Sequence, residues 1–185
     1  MATDTRSRMI EATVQALQRH GIAGMSFTEV LRSSGAARGA IYHHFPGGKN
    51  QLVAEAAAGN GHDVRAHLAE LPTDSPQAVV EAFLAAVRPV VLESAGGGGC
   101  AVAAVSVGTD QDELRQVAAG AFASWVDQLA ERLTTAGLPP REAADLATTL
   151  IMLLEGAHVL CRAAGDLEPF DRAARSAVLL AARRG

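Results

Sequence analysis

The sequence predicts an all-α protein of about nine helices, and two observations predict it. Alanine, leucine, arginine and glutamate, all good helix formers, are frequent in a chain with 49% hydrophobic but only 4% aromatic residues. Apolar residues recur at helical spacing along most of the 185 residues, while the alternation that a strand needs is scarce. The stretch Val102 to Val107 comes nearest to a strand, and it is too rich in alanine to make one.

Each element follows from its own signals. The first helix is expected over residues 5–20, with Ile10, Val14 and Leu17 on one face and Gly21 ending it. Ser26-Phe27-Thr28-Glu29 has the S-x-x-E form of a capping box. It opens a short helix that turns Val30 and Leu31 inward and stops at Gly35. A third helix, expected over 37–44, is anchored by Ile41 and Phe45 and broken by Pro46-Gly47-Gly48. The fourth runs over 49–71 with a kink at Gly59-Asn60-Gly61, and it must complete the core that three short helices cannot close alone. Ser75 caps a fifth helix reaching Glu93, which Pro89 kinks or ends early, and Gly96 to Gly99 reads as a flexible joint. A short helix or irregular segment leads to Gly108, followed by helices over 111–136, from Pro140 or Arg141 to 164, and over 170–183.

Charge divides the chain unevenly. Residues 1–51 hold six basic side chains (Arg6, Arg8, Arg19, Arg32, Arg38, Lys49) against three acids, a net +3. The remainder holds ten against seventeen, a net −7, giving −4 overall. A basic head on an acidic body is expected where only one part meets phosphate. No apolar run is expected to approach the length of a membrane span, and the first residues lack a signal-peptide pattern, so a cytoplasmic location is expected.

Two short helices around a glycine turn form a helix-turn-helix pattern. Ser26 and Glu29 satisfy the first helix's N-terminus, Gly35 tolerates left-handed geometry, and Arg38-Gly39-Ala40 is small enough to enter a major groove. Arg38, Tyr42, His43 and Lys49 bring hydrogen-bond donors to the same stretch.

The stretch SSGAARGAIYHHFPGGKNQL resembles the signature of the TetR family, matching it at Tyr42, His44, Phe45 and Lys49, with Ser26 at the family's Ser/Thr cap. The resemblance implies a DNA-binding domain over 1–48, followed by a helical ligand-binding and dimerisation domain over 49–185. It implies that Ser26, Tyr42 and Lys49 hold phosphates and that the surface from Ala37 to His43 reads bases. The candidate DNA-binding set is therefore Ser26, Thr28, Ala37, Arg38, Gly39, Ala40, Tyr42, His43, His44 and Lys49. Three features depart from the common pattern. Ala37 replaces a Ser or Thr cap, Leu31 and Ser34 replace alanines, and Gly47-Gly48 lengthens the turn by one residue. That lengthened turn, with Gly99-Cys100-Ala101-Val102 and Leu154-Glu155-Gly156-Ala157, is similar to the LmrA/YxaF-like branch.

The function expected is a homodimeric repressor released from a palindromic operator in double-stranded DNA by a small hydrophobic effector. Phe83, Cys100, Phe122, Trp125 and Met152 are candidates for the effector site, although aromatics at this spacing suit plain core equally well. Glu155, His158 and Arg162 form an i, i+3, i+7 stripe that offers either polar handles to a ligand or contacts at a dimer seam. The seam is expected on the last two helices, through Leu146, Leu150, Leu153, Ala157 and Leu160 on one and Ala174, Val178 and Ala181 on the other.

No cofactor or metal is expected. His43 and His44 diverge by about 100° on a helix, and His62, Asp63 and His67 lack a further ligand. Gly96 to Gly99 lacks the Gly-Lys-Ser/Thr of a phosphate loop, and Cys100 and Cys161 suit small buried hydrophobes. A small helical enzyme is the rival reading, but no nucleophile, base and orienting group can be assembled. An architectural DNA-binding protein would want a more basic body, and an activator is not distinguished from a repressor.

Overall fold

In a computed structural model that describes residues 4–182, the described residues form nine α-helices. These are α1 (Thr5–Gly24), α2 (Phe27–Ser34), α3 (Ala40–His44), α4 (Gly48–Ala69), α5 (Pro76–Ala95), α6 (Ala101–Gly108), α7 (Asp112–Thr135), α8 (Pro140–Ala164) and α9 (Glu168–Ala182). The segment from Val102 to Val107 is helical, as its alanines demand. The end expected for the last helix, residue 183, lies outside the described residues. The chain divides into two compact units: residues up to His62 with Cys100–Ala121, and Asp63–Gly99 with residues from Phe122 onward.

In the first unit α1 packs against α2 and α6. Met9, Ala12, Ala16 and Leu17 of α1 are buried, as are Val30, Ile41, Phe45, Leu52, Val53, Ala56 and Ala57, so α4 does close the core of the short helices. Thr13, also buried, donates its hydroxyl to the Met9 carbonyl at 2.8 Å. Gly21 breaks α1 at φ 64° and ψ −176°, where the sequence places the end of the helix. The chain then regains a helical turn to Gly24. A Cβ on Gly108 of α6 would lie 3.5 Å from Ile22 Cβ, so α6 rests directly on this turn.

Helix continues through Gly59-Asn60-Gly61, where the sequence suggests a kink. A helical glycine costs about 1 kcal/mol relative to alanine, and Gly61 is needed for close approach. A Cβ there would meet the Ala121 Cβ at 2.8 Å, nearer than two such atoms can pack.

In the second unit α5 packs against α8 and α9, and α8 against α9. The buried set runs through Val79, Val80, Phe83 and Val91 of α5, Trp125, Leu129 and Leu133 of α7, and Leu146, Leu150, Leu154 and Cys161 of α8. Pro89 does not end α5, which continues to Ala95. Pro89 and Ala85 are both exposed, so the carbonyl that loses its N–H partner faces water. Gly96 to Gly98 form a hydrogen-bonded helix end instead of a loose joint. Gly97 N–H donates to Ser94 O at 2.9 Å and Gly98 N–H to Glu93 O at 3.0 Å, with Gly97 at φ 102°.

α8 corrects another expectation. It is long and apolar enough to cross a membrane by length and composition, with mean hydropathy 1.4 over its most apolar window. Its buried residues Leu146, Ala147, Leu150, Ile151, Leu154, Ala157, His158 and Cys161 trace a single core-facing stripe, as expected of a core helix. Met152, Val159 and Leu160 lie on the outside.

Candidate nucleic-acid interface

Ser26 begins the site. Its backbone is extended, and its Oγ accepts the Glu29 N–H at 3.2 Å, which caps α2. The Glu29 carboxylate lies 3.2 Å from His20 Nε2, so the first turn of α2 is also tied to α1. A capping hydroxyl that accepts still has its own proton to donate, and Ser26 is exposed, as is Thr28. The helix ends on Gly35 at φ 66° and ψ 19°, whose N–H returns to Leu31 O. From below, Arg8 Nε donates to the Ser34 carbonyl at 3.0 Å, so α1 holds both ends of α2.

α3 is shorter than the sequence suggests. It starts at Ala40, and residues 37–39 form a turn closed by Ala40 N–H on Ala37 O at 2.9 Å. The cause is the departure noted at Ala37. Without a cap hydroxyl there, and with a glycine two residues on, the first turn of helix is not stabilised, and Gly39 at the N-cap makes no side-chain hydrogen bond. The faces nonetheless separate cleanly. Ile41 and Phe45 are fully buried, whereas Ala37, Arg38, Gly39, Tyr42 and His43 are exposed. Ala40 is half-buried, and His44 is half-buried with its ring between those of His43 (5.0 Å) and Phe45 (6.4 Å).

Three of the six cations of the head have internal partners. Arg6 pairs with Glu55 of α4 and stands 5.3 Å over the Phe45 ring, and Arg8 holds Ser34. Lys49 Nζ donates to the Ile22 carbonyl at 2.8 Å. An ammonium has three protons, so this bond leaves Lys49 two for a phosphate while fixing where it stands. Gln51, which the sequence reading passed over, accepts the Gly47 N–H at 2.7 Å and donates to Glu55 Oε1 at 3.0 Å. It thereby links the lengthened Gly47-Gly48 turn to the Arg6–Glu55 pair. Glutamine three residues into a helix was the available signal. Arg19, Arg32 and Arg38 are exposed, and Arg32 shares the outer face of α2 with Thr28 one turn away.

A family model described as bacterial regulatory proteins, tetR family, matches residues 9–56, and one described as transcriptional regulator LmrA/YxaF-like, C-terminal domain, matches 76–176. The chain belongs to the TetR family. An uncharacterised HTH-type transcriptional regulator of Mycobacterium tuberculosis is 36% identical over 90% of this chain and 88% of its own. The HTH-type transcriptional regulator LmrA of Bacillus subtilis is 28% identical over 90% of each. The crystal structure of a TetR transcriptional regulator from Legionella pneumophila superposes with a TM-score of 0.83 at 20% identity, covering 97% of this chain and 98% of that one, a likeness of fold. TetR-family membership makes the chain a DNA-binding transcriptional regulator and not an enzyme, on the LmrA/YxaF-like branch its C-terminal match identifies.

In the body of this TetR-family chain, Phe83 and Trp125 are buried, and Phe122 meets Trp125 edge-to-face at 5.1 Å. Cys100 lies in the first unit, where its Sγ accepts the Ala103 N–H and caps α6. The stripe of Glu155, His158 and Arg162 does not share one environment: His158 is buried, Glu155 half-buried and Arg162 exposed. Arg162 sits in the last turn of α8, beyond its packed length. Met152 is 69% exposed, on the side of α8 opposite Leu150 and Leu154, so neither it nor Arg162 lines the interior.

His158 Nδ1 lies 2.5 Å from Ser94 Oγ, a buried bond between α8 and α5, and the Ser94 hydroxyl also reaches Val90 O at 3.2 Å. With the hydroxyl proton on Val90, Nδ1 carries the ring proton. Burial holds the His158 pKa below its ordinary value. The neutral ring therefore contributes stability that is present above about pH 6.5 and lost as pH falls towards the lowered folded value. Urea midpoints should drop between pH 7.5 and 5.5, and His158→Asn should flatten that drop. An unchanged profile in the variant excludes His158 as its source.

Proposed function

We propose that this chain is a homodimeric repressor that reads a palindromic operator through α3 and leaves it when a small apolar effector enters the body. The observation that carries the DNA-reading part is the clean division of α3. Arg38, Gly39, Tyr42 and His43 face outward over a buried Ile41 and Phe45. Residues 1–48 serve as the reading head and 49–185 as the effector and dimer body. Arg38 and His43 meet base edges, with Ala37, Gly39 and Ala40 letting the backbone approach. Ser26, Thr28, Tyr42, His44 and Lys49 meet backbone phosphates. Working on genomic DNA places the protein in the cytoplasm.

The dimer reading is supported by an apolar outer face on the last two helices. Met152, Val159 and Leu160 of α8 and Leu179 and Leu180 of α9 are all exposed. Between the helices runs an open groove of about 400 Å³ lined by Met152, Gly156, Leu160, Ala173 and Leu180 among others. Of the residues expected at the seam, Leu160 stands exposed on this face, whereas Leu146, Leu150 and Ala157 are buried inside the subunit. Two reading helices related by a two-fold axis then suit a palindrome.

The effector reading rests on an apolar cluster in the body, the buried Phe83 and Trp125 with Phe122 edge-to-face on Trp125, and takes His158 and Glu155 as its polar contacts. Effector binding favours a subunit pose whose reading helices no longer fit the operator, and by linkage the operator weakens the effector by the same factor.

Selection from random duplex DNA at moderate salt should return a palindrome. Lys49→Ala should weaken binding to every sequence alike and reduce the salt dependence by about one charge per subunit. Recovery of no preferred duplex by the wild-type protein would rule the reading out.

A further inference from the structure

We propose that Phe27 is a positioning residue for DNA binding, holding the Tyr42 ring so that its hydroxyl is aimed at a backbone phosphate. The proposal rests on the phosphate contact assigned to Tyr42. Tyr42 is 67% exposed on a helix of only five residues, so its ring has rotameric freedom that binding must remove. Phe27 restricts it. The two rings meet at 6.2 Å between centroids with planes 89° apart, the edge-to-face arrangement that aromatic quadrupoles favour.

Phe27 is itself firmly held. It is the first residue of α2, directly after the Ser26 cap, and three residues before Val30, which is wholly buried. The Glu29 carboxylate beside His20 ties the same turn to α1. On the other side, fully buried Ile41 fixes the backbone that carries Tyr42. The ring contact thus joins the outer sides of the two helices of the helix-turn-helix, between two anchored backbones. Phe27 remains half in water, so core packing alone explains an aromatic there poorly.

The test is a double-mutant cycle on the palindromic duplex recovered by selection, using wild type, Phe27→Leu, Tyr42→Phe and the double variant. Leucine keeps apolar bulk at the start of α2, and Tyr42→Phe removes only the hydroxyl. Phe27→Leu should weaken binding about threefold to tenfold in the wild-type background, through lost ring contact and regained rotamer freedom. In the Tyr42→Phe background the same change should cost nothing further, because no hydroxyl remains to be aimed. Loss of fold stability would enter both arms and cancel. An equal factor in both backgrounds overturns the proposal, since Phe27 would then act through the fold alone. Tyr42→Phe binding as tightly as wild type removes the phosphate contact and the proposal together.

Discussion

Leu150→Asp should yield a chain that does not fold, and Leu160→Asp a folded monomer. Both residues lie on α8 and look interchangeable in the sequence, yet Leu150 is wholly buried and Leu160 is 58% exposed. Aspartate at position 150 removes a packed leucine, worth about 2–5 kcal/mol in a core, and places an unpaired carboxylate among Leu146, Ala147 and Leu154. The sum approaches or exceeds the roughly 5–15 kcal/mol that holds a domain together. At position 160 the subunit loses little, because the side chain already meets water. The cost falls on the proposed association, which would desolvate an aspartate from each subunit against apolar neighbours. Circular dichroism and urea unfolding report the first outcome, and light scattering at micromolar concentration the second. With only one reading head per particle, operator affinity should fall by about 100-fold or more, as half the contacts are lost. A Leu160→Asp protein that remains dimeric places the seam elsewhere, and a folded, monomeric Leu150→Asp protein restores the seam first read from the sequence.

That contrast shows where the sequence stops being informative. Helical spacing identifies α8 as amphipathic, but α8 is apolar on two sides, and periodicity cannot say which of two apolar stripes faces the subunit's own core. Leu146 and Leu150 went to the inside, while Met152, Val159 and Leu160 stayed out. Local signals fared better where a single residue decides the backbone. Ser26, Gly35 and Pro140 each stand at the helix terminus that their chemistry predicts. Glycines in the middle of a pattern are ambiguous, because a glycine serves close packing as readily as a kink. Gly61 against Ala121 cannot be told from a hinge without knowing what lies opposite. The head was legible as a motif, but its cations were not. Arg6, Arg8 and Lys49 count as positive charge in a sequence, and only the fold reveals Glu55, Ser34 and Ile22 as their partners. The Phe27–Tyr42 contact lies fifteen positions apart across a turn, beyond the reach of any periodicity.

Gly39→Leu should abolish operator binding while leaving the fold intact, and Gly35→Ala should do nearly the reverse. Gly39 has φ −74° and ψ −19°, a conformation any residue adopts, and a Cβ built there meets nothing within 4 Å. Leucine is accommodated without strain in the free protein, so the melting temperature should move by no more than about 2 °C, as for a change well under 1 kcal/mol. Its side chain then stands on the exposed face with Arg38 and Tyr42, where the proposed reading requires the backbone to come close to base edges. A misfit of this kind in each half-site disrupts several contacts at once, each worth about 1–3 kcal/mol, so affinity for the selected duplex should fall by about 100-fold or more. Gly35 also has open space around it, but its φ of 66° is left-handed. Alanine there costs about 1–2 kcal/mol, lowering the melting temperature by about 2–8 °C. The protein that remains folded should still bind. Fluorescence anisotropy with the selected duplex, beside thermal unfolding of the same samples, separates the two effects. If Gly39→Leu binds that duplex as wild type does, α3 does not enter the groove by this face, and the base-reading assignment from Ala37 to His43 fails with it.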